Sequence, residues 1–429
     1  MSASIAQTLE AKIRTNRIIQ TTASWDEEII FPYYDGLSLP NITQSIAQIL
    51  GAPFSPALPL QDEVWQADVP QAKRVVLFLM DGMGYKHLRM LMADDSELAQ
   101  AVADLSGGRD IVPLTSVAPS TTVVALTSLW TGKPPSATAI TGTAMFLKEV
   151  SLLANMLSMA PIHGRLKGDI LADWGAAPEN LVQAQGLGEH LSANDIESYV
   201  VSNKMYKGVG LSRILNLLTT HYVPILSYSD ALIRFRNTLR ETRGKHGYIW
   251  MYWSGVDSSA HNYGAHSEET NAEIKRQILA LRDTLQDEAI RDGQTLLLLL
   301  ADHGHYDSVT PIAFGDDEIM KDALQMSISG DERHGYAYLQ NGTVDAIKAH
   351  IDATYAETLT YLDTQEAINA GYFGTEVAPA LRYRTGDLIL LPRLGHIISD
   401  PILGTIPMIS RHAGLSDWEM LVPFMWQIL

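Results

Sequence analysis

Three uninterrupted apolar runs, each closed by a polar segment carrying an aspartate, constrain this chain more than any other feature. They are Val75 to Met80, Tyr248 to Trp253 and Leu296 to Ala301, followed by Asp81-Gly-Met-Gly, Ser254-Gly-Val-Asp257 and Asp302-His303-Gly-His305. Runs without polar alternation are what strands buried on both faces of a parallel sheet require. A weaker fourth run, Val422 to Trp426, contains Pro423. Between them lie helix-like segments such as Glu268 to Leu285. Strands alternating with helices predict an α/β sandwich with a mostly parallel central sheet.

In such sheets ligands bind beyond the carboxyl ends of the strands, so the residues closing each run are the ones to read for chemistry. A carboxylate at the end of a buried strand is costly to keep charged unless something pairs with it. A single strand-end Asp is more often a turn or helix cap than a ligand, and a lone His is usually an ordinary surface or core residue. Three Asp converging on one rim with several His point instead to divalent cations. Asp302 and His303 are adjacent, and Gly304 lets the backbone turn so that both reach one ion. Asp257 and His261 are four apart, so one helical turn places them side by side. His412, in Arg411-His-Ala-Gly, stands immediately before the last run.

Composition narrows the function classes. Among 429 residues, Lys and Arg number 31 against 49 Asp and Glu, a formal charge of −18. That balance argues against a nucleic-acid polymer or an anionic membrane as partner, since both demand clustered cations. A small anionic substrate is compatible if metal ions supply local positive charge. Cysteine is absent, which excludes thiolate nucleophiles and leaves metals to His, Asp and Glu. The N-terminal stretch lacks an apolar signal core, and the longest apolar runs are far shorter than a membrane span, so a cytoplasmic protein is expected. Residues 320–399 change character and read as a small inserted cap. Residues 1–54 read as a wrapping segment, and 55–319 with 400–429 as the core. Oligomeric state is left open.

With no cysteine, the nucleophile has to be an oxygen. Pro119-Ser-Thr-Thr leads into a helix whose apolar face includes Val123, Leu126 and Trp130, stopped by Gly132 and Pro134. A hydroxyl at that N-terminus would face free N–H groups and the positive end of the helix dipole, which favours an alkoxide or a phosphate. The plainer role for Ser120, Thr121 or Thr122 is a helix cap.

Five pieces, LFLMDGMG, PSTTVVALTSLWTG, YWSGVDSSAHNYGAHS, LLLADHGH and HAGLSDWEMLVP, in this order and spacing resemble the type I phosphodiesterase/nucleotide pyrophosphatase family of the alkaline phosphatase superfamily. The resemblance extends from Tyr34 to Leu429 and implies an alkaline-phosphatase-like three-layer sandwich. It makes Thr122, ten residues before Gly132, the nucleophile. It implies one ion held by Asp257, His261 and His412, and a second held by Asp81, Asp302 and His303 with the Thr122 oxygen. Zinc is the expected metal, with manganese as the alternative. The implied reaction is hydrolysis of a phosphodiester or nucleotide pyrophosphate through a covalent phospho-threonine, the substrate being a small anionic phosphate ester. A phosphomonoesterase or phosphonate hydrolase on the same metals is the enzymatic alternative, and a catalytically silent metal-binding protein of the same fold the non-enzymatic one.

The chain departs from the family at three places. Thr143 stands where the family carries an Asn, Thr138-Ala-Ile140 replaces His-Gly-Ile, and Val123 replaces a common aromatic. These bear on nucleotide preference more than on hydrolysis. His305 and His266 are expected to support the ligands or lie at the surface, His334 is not read as a ligand, and Arg333 is expected at the surface.

Overall fold

The computed structural model describes residues 4–54, 58–163, 168–182, 184–216, 219–400 and 407–429. The three apolar runs become the strands Arg74–Met80, Gly247–Trp253 and Thr295–Leu300, every residue of the first and third being buried. Arg74–Met80 lies between the other two and is parallel to both, with Met80 opposite Trp253 and Leu79 opposite Leu300. Parallel strands in this register end on the same edge, so Asp81, Ser254 and Asp302 leave the sheet together.

Glu197–Asn203 and His221–Ile225 extend the parallel set beyond Gly247–Trp253. On the other side Leu421–Ile428 pairs antiparallel with Thr295–Leu300 and with Val112–Thr115, making this seven-stranded sheet mixed. Pro423 is tolerated within its strand because it faces Pro113, so at that position neither strand requires an N–H that proline lacks. Glu268–Leu285 forms the expected helix, started by Ser267, whose side chain accepts from the Thr270 N–H. It packs on Ser96–Leu105 and Tyr228–Glu241.

A second, antiparallel seven-stranded sheet runs in the order Leu359–Asp363, Leu388–Pro392, His334–Ala337, Ser329–Asp331, Ala144–Leu147, Leu152–Asn155, Ala160–Pro161. It draws strands from residues 144–161 as well as from the later stretch. Its strand Leu388–Pro392 shows why that segment is apolar throughout. Ile389 and Leu391 face the main core, while Leu388 and Leu390 join a smaller cluster with Phe314, Met320, Ile347 and Ile351. The N-terminal residues pack onto the main core through Ala6, Leu9 and Ile13 of helix Ile5–Arg14. The wholly buried Gln44 of helix Leu39–Ile49 donates to the Gly132 carbonyl at 2.7 Å.

Where the central strands end, backbones cross closely. A Cβ on Gly304 would lie 2.1 Å from the Trp418 carbonyl oxygen and 2.8 Å from Gly84 Cα, contacts no side-chain rotation relieves. Gly304→Ala is therefore expected to cost about 1–3 kcal/mol, the range for overpacking. Urea denaturation measures it, and an unchanged midpoint would show that the rim yields freely.

Candidate active site

Asp81, the first residue past its strand, is 1% exposed. Its Oδ2 accepts the Tyr252 hydroxyl. Asp302 Oδ1 accepts the Gly82 N–H at 3.1 Å and the His303 N–H at 3.0 Å, which ties two strand ends together. The other oxygens, Asp81 Oδ1 and Asp302 Oδ2, are buried without a hydrogen-bond partner. They lie 3.4 and 3.6 Å from His303 Nε2. His303 Nδ1 is 3.2 Å from the Gly304 carbonyl oxygen. That oxygen only accepts, so Nδ1 donates to it and Nε2 is the atom turned toward the carboxylates and Thr122.

Thr122 opens the helix Thr122–Thr131, ended by Gly132 in the left-handed conformation. The neighbouring hydroxyls are otherwise placed. Ser120 donates to the Gly414 carbonyl at 2.7 Å, and Thr121, at the N-cap, makes no capping bond and lies 3.4 Å from Thr143 Oγ1. Only the Thr122 hydroxyl reaches the cluster, 3.0 Å from His303 Nε2.

The second half of the site gathers around Asp257 Oδ1. The helix Gly255–Tyr263 carries Asp257 and His261 on one face, with His261 Nε2 3.2 Å from that oxygen. His261 Nδ1 donates to the Ser410 carbonyl at 2.8 Å. His305 and His412 approach the same oxygen at 3.0 and 3.7 Å, and the His412 ring stacks on His303 at 3.9 Å. Two groups of side chains offer ligand atoms close enough for an ion, Asp257 with His261, His305 and His412, and Asp81 with Asp257 and His303. All seven predicted site residues, Asp81, Thr122, Asp257, His261, Asp302, His303 and His412, thus fall in one place, with Asp302 beside the second group.

The titration behaviour of these groups argues for a cation. Burial, then the Asp302 and Asp257 charges, push Asp81 well above the usual carboxylate range. Asp302 is raised chiefly by burial. Burial also works to raise Asp257, but hydrogen bonds from His261 and His305 outweigh it and hold it well below normal. His305 is lowered to about 4 by burial, and His412 is lowered by burial and by three neighbouring imidazoles. His261 differs from these two, since burial works to lower it but the hydrogen bond and charge of Asp257 raise it. Buried imidazoles such as His305 and His412, beside the partnerless oxygens of Asp81 and Asp302, form a donor set suited to divalent metal.

Three expectations need correction or extension. His305 is 3% exposed and bonded to Asp257, supporting the ligands rather than lying at the surface, and its ring lies 5.4 Å from that of His303. Arg333 is 1% exposed rather than at the surface. It donates to both oxygens of the buried Glu419, at 2.6 and 2.8 Å, and to the His396 carbonyl at 2.7 Å. His334 is buried against Tyr372, away from the ligands, because its strand lies inside the second sheet. Neither Arg333 nor Glu419 carried a sequence signal, since they are far apart in the chain and pair only through the fold.

Glu419 also accepts the Gly414 N–H at 2.9 Å and the Ser416 hydroxyl at 2.6 Å. The Ala413 N–H donates to the Ser120 carbonyl at 2.9 Å. The loop bearing His412 is thus held between the nucleophile segment and the buried ion pair. Above the rim opens a cavity of about 540 Å³, lined by Thr122, Asp257, His261, His412, Thr143 and Asp331, with Leu157, Ile162, Ile328 and Ile398 as apolar wall.

Two outcomes follow. Glu419→Gln strands a buried guanidinium and is expected to cost about 3–5 kcal/mol, measured by chemical denaturation; a loss below about 1 kcal/mol would mean that water screens the pair. His305→Ala is expected to weaken divalent-metal binding about 10–100-fold in a chelator competition, and unaltered affinity would place His305 outside the metal set.

The family model described as Type I phosphodiesterase / nucleotide pyrophosphatase matches residues 161–414. Similar solved structures include murine ectonucleotide pyrophosphatase/phosphodiesterase 5, inactive and in complex with AMP, at 13% identity over 82% of this chain and 87% of that one, TM-score 0.59. A second structure of the murine protein has the same identity and coverage with TM-score 0.60. The human protein shows 16% identity over the same shares, TM-score 0.58. At such identities the likeness establishes the fold alone, an α/β fold of alkaline-phosphatase type. No curated protein matches.

Proposed function

The chain belongs to the Type I phosphodiesterase / nucleotide pyrophosphatase family, hydrolases of phosphodiester and pyrophosphate bonds, and on that premise we propose that it works through two divalent ions and a covalent phospho-threonine on Thr122. The observation that carries this reading is the Thr122 hydroxyl, 3.0 Å from His303 Nε2 at the opening of a helix, beside the unpartnered buried oxygens of Asp81 and Asp302. In this reading Asp257, His261 and His412 hold one ion, with His305 against them. Asp81, Asp302 and His303 hold the other, completed by the Thr122 oxygen. Zinc suits the mixed His and carboxylate donors, and manganese is the alternative. When bound, the ions lower the pKa of the hydroxyl and stabilise charge developing on the phosphoryl oxygens.

Thr122 Oγ1 attacks phosphorus after its proton passes to solvent, the leaving oxygen departs with the electron pair of the broken bond, and the phosphoryl group rests on Thr122 until water displaces it and returns the hydroxyl. The helix N-terminus favours the anionic group being transferred. Thr143, where the family carries Asn, lies beside Thr121 and presents a hydroxyl to the same cavity. The second sheet serves as the cap, closing the cavity with Ile328 and Asp331. The substrate is a small phosphate ester, with a diester or pyrophosphate placed ahead of a monoester.

Bis-p-nitrophenyl phosphate tests the reading directly. The metal-replete protein is expected to hydrolyse it, and Thr122→Ala to lose at least about a thousandfold in kcat while retaining its metal. Undiminished turnover by that variant would place the nucleophile elsewhere. Metal-replete wild-type protein that turns over no phosphate ester would favour a silent binding protein.

A further inference from the structure

The wall facing the metal-ligand rim carries a charge that hydrolysis itself does not use. Asp331 ends the strand Ser329–Asp331 of the second sheet and lines the same cavity as Thr122. Two glycines bring it there. Gly330 adopts φ +95°, and a Cβ on Gly142 would lie 2.9 Å from Gly330 Cα and 3.1 Å from Asp331 Oδ2, so the two backbones touch only because neither has a side chain. In that close approach Asp331 Oδ2 accepts the Thr143 N–H at 3.1 Å. Thr143 Oγ1 lies 3.4 Å from Thr121 Oγ1, next to the nucleophile. The carboxylate therefore stands two short contacts from the residue preceding Thr122.

Among the described residues its short-range partner is Thr143, and no cation touches it. Its neighbour Glu332 pairs with Arg411, whereas no Lys, Arg or His forms an ion pair with Asp331. Burial pushes its carboxyl up to about 6, which leaves it ionised in mildly alkaline solution. Such a charge, at a partly desolvated wall, discriminates among phosphate esters by their own charge. A monoester above its second pKa, near 6, is a dianion. A diester is a monoanion with a neutral substituent in place of the second charged oxygen.

We propose that Asp331 is a specificity-determining residue, which selects phosphodiesters over phosphomonoesters by repelling the second negative charge of the monoester. The inference rests on the hydrolase reading above and deepens it to a substrate class. It also gives the short strand Ser329–Asp331 a purpose beyond joining the two halves of the second sheet, since it carries the charge to the cavity that Thr122 lines.

Asp331→Asn tests this, because the amide oxygen still accepts the Thr143 N–H while the charge is gone. The metal-loaded wild-type and variant enzymes are compared at pH 8 on bis-p-nitrophenyl phosphate and p-nitrophenyl phosphate. Wild type is expected to prefer the diester. In the variant the ratio of diester to monoester kcat/KM should fall about tenfold, as expected from removing one nearby charge. The monoester value should rise in absolute terms, which a general structural defect would not produce. Asp331→Ser, which removes the charge without adding bulk, is the second variant should the amide not fold. A ratio unchanged within twofold in a folded variant, or one that falls only through loss of diester turnover, overturns the proposal while the hydrolase reading stands. A metal-loaded wild type inactive on both esters overturns both.

Discussion

Everything at the rim depends on crowding three carboxylates together, two of them out of reach of water and the third, Asp257, at the edge of the cavity. Asp81 and Asp302 are almost wholly buried, and Asp257 offers a ligand atom within 4.8 Å of those of Asp81 and His303. Three unneutralised anions in such a space would repel one another by several kcal/mol per pair even at a generous effective dielectric. Burial disfavours the cationic forms of His305 and His412, so of these rings only His261, raised by Asp257 against its burial, leans toward offsetting that repulsion. The parallel sheet imposes the crowding. Once Met80, Trp253 and Leu300 end on one edge, the residues that follow have little choice of direction. The clustered ligand atoms are placed so that a divalent metal could supply the remaining counter-charge.

A second buried charge pair decides how firmly the site is held. Arg333 belongs to the turn between two strands of the second sheet, and Glu419 to the helical turn before the last strand of the first sheet. Their bidentate contact, with all four remaining bonds going to backbone or to Ser416, is of the kind whose disruption is far costlier than its formation is favourable. Gly414 is confined by it, since a Cβ there would fall 2.5 Å from Glu419 Oε2 and 2.7 Å from Arg333 Nη2. His412 therefore sits on a loop clamped from the second sheet on one side and from Ser120 on the other. The metal rim and the cavity wall are coupled through that loop rather than merely adjacent.

Much of this was legible in the sequence, for a definable reason. Unbroken apolar strands announce themselves locally, and in a parallel sheet the residue after each strand inherits a known position. Asp81, Asp257 and Asp302 could thus be singled out without knowing strand order, and His261 followed from helical spacing. Thr122 was harder. Three consecutive hydroxyls each fitted a cap, so Thr122 was singled out only by the family resemblance, and the geometry then separates Ser120, turned to Gly414, from Thr122, turned to His303. What stayed hidden depends on pairing across long stretches of chain. Arg333 looked like any surface arginine because its partner lies 86 residues away. The strands within 144–161 were unreadable as part of the second sheet because their neighbour, Ser329–Asp331, arrives much later. His305 was expected either to support the ligands or to lie at the surface, and its contact with Asp257 is of the supporting kind.

The charge distribution reconciles an acidic chain with an anionic substrate. A net charge of −18 opposes the approach of any phosphate ester at long range, and salt weakens that opposition beyond about 8–10 Å. Binding must then be won at short range, where the N-terminus of helix Thr122–Thr131 and the divalent ions proposed for the rim would act through few intervening waters. At that range the sign of each wall residue matters individually. A site whose attraction is concentrated on one rim, with a carboxylate on the facing wall, accepts negative charge only where the rim can reach it. It therefore distinguishes substrates by where their charge lies as well as by how much they carry.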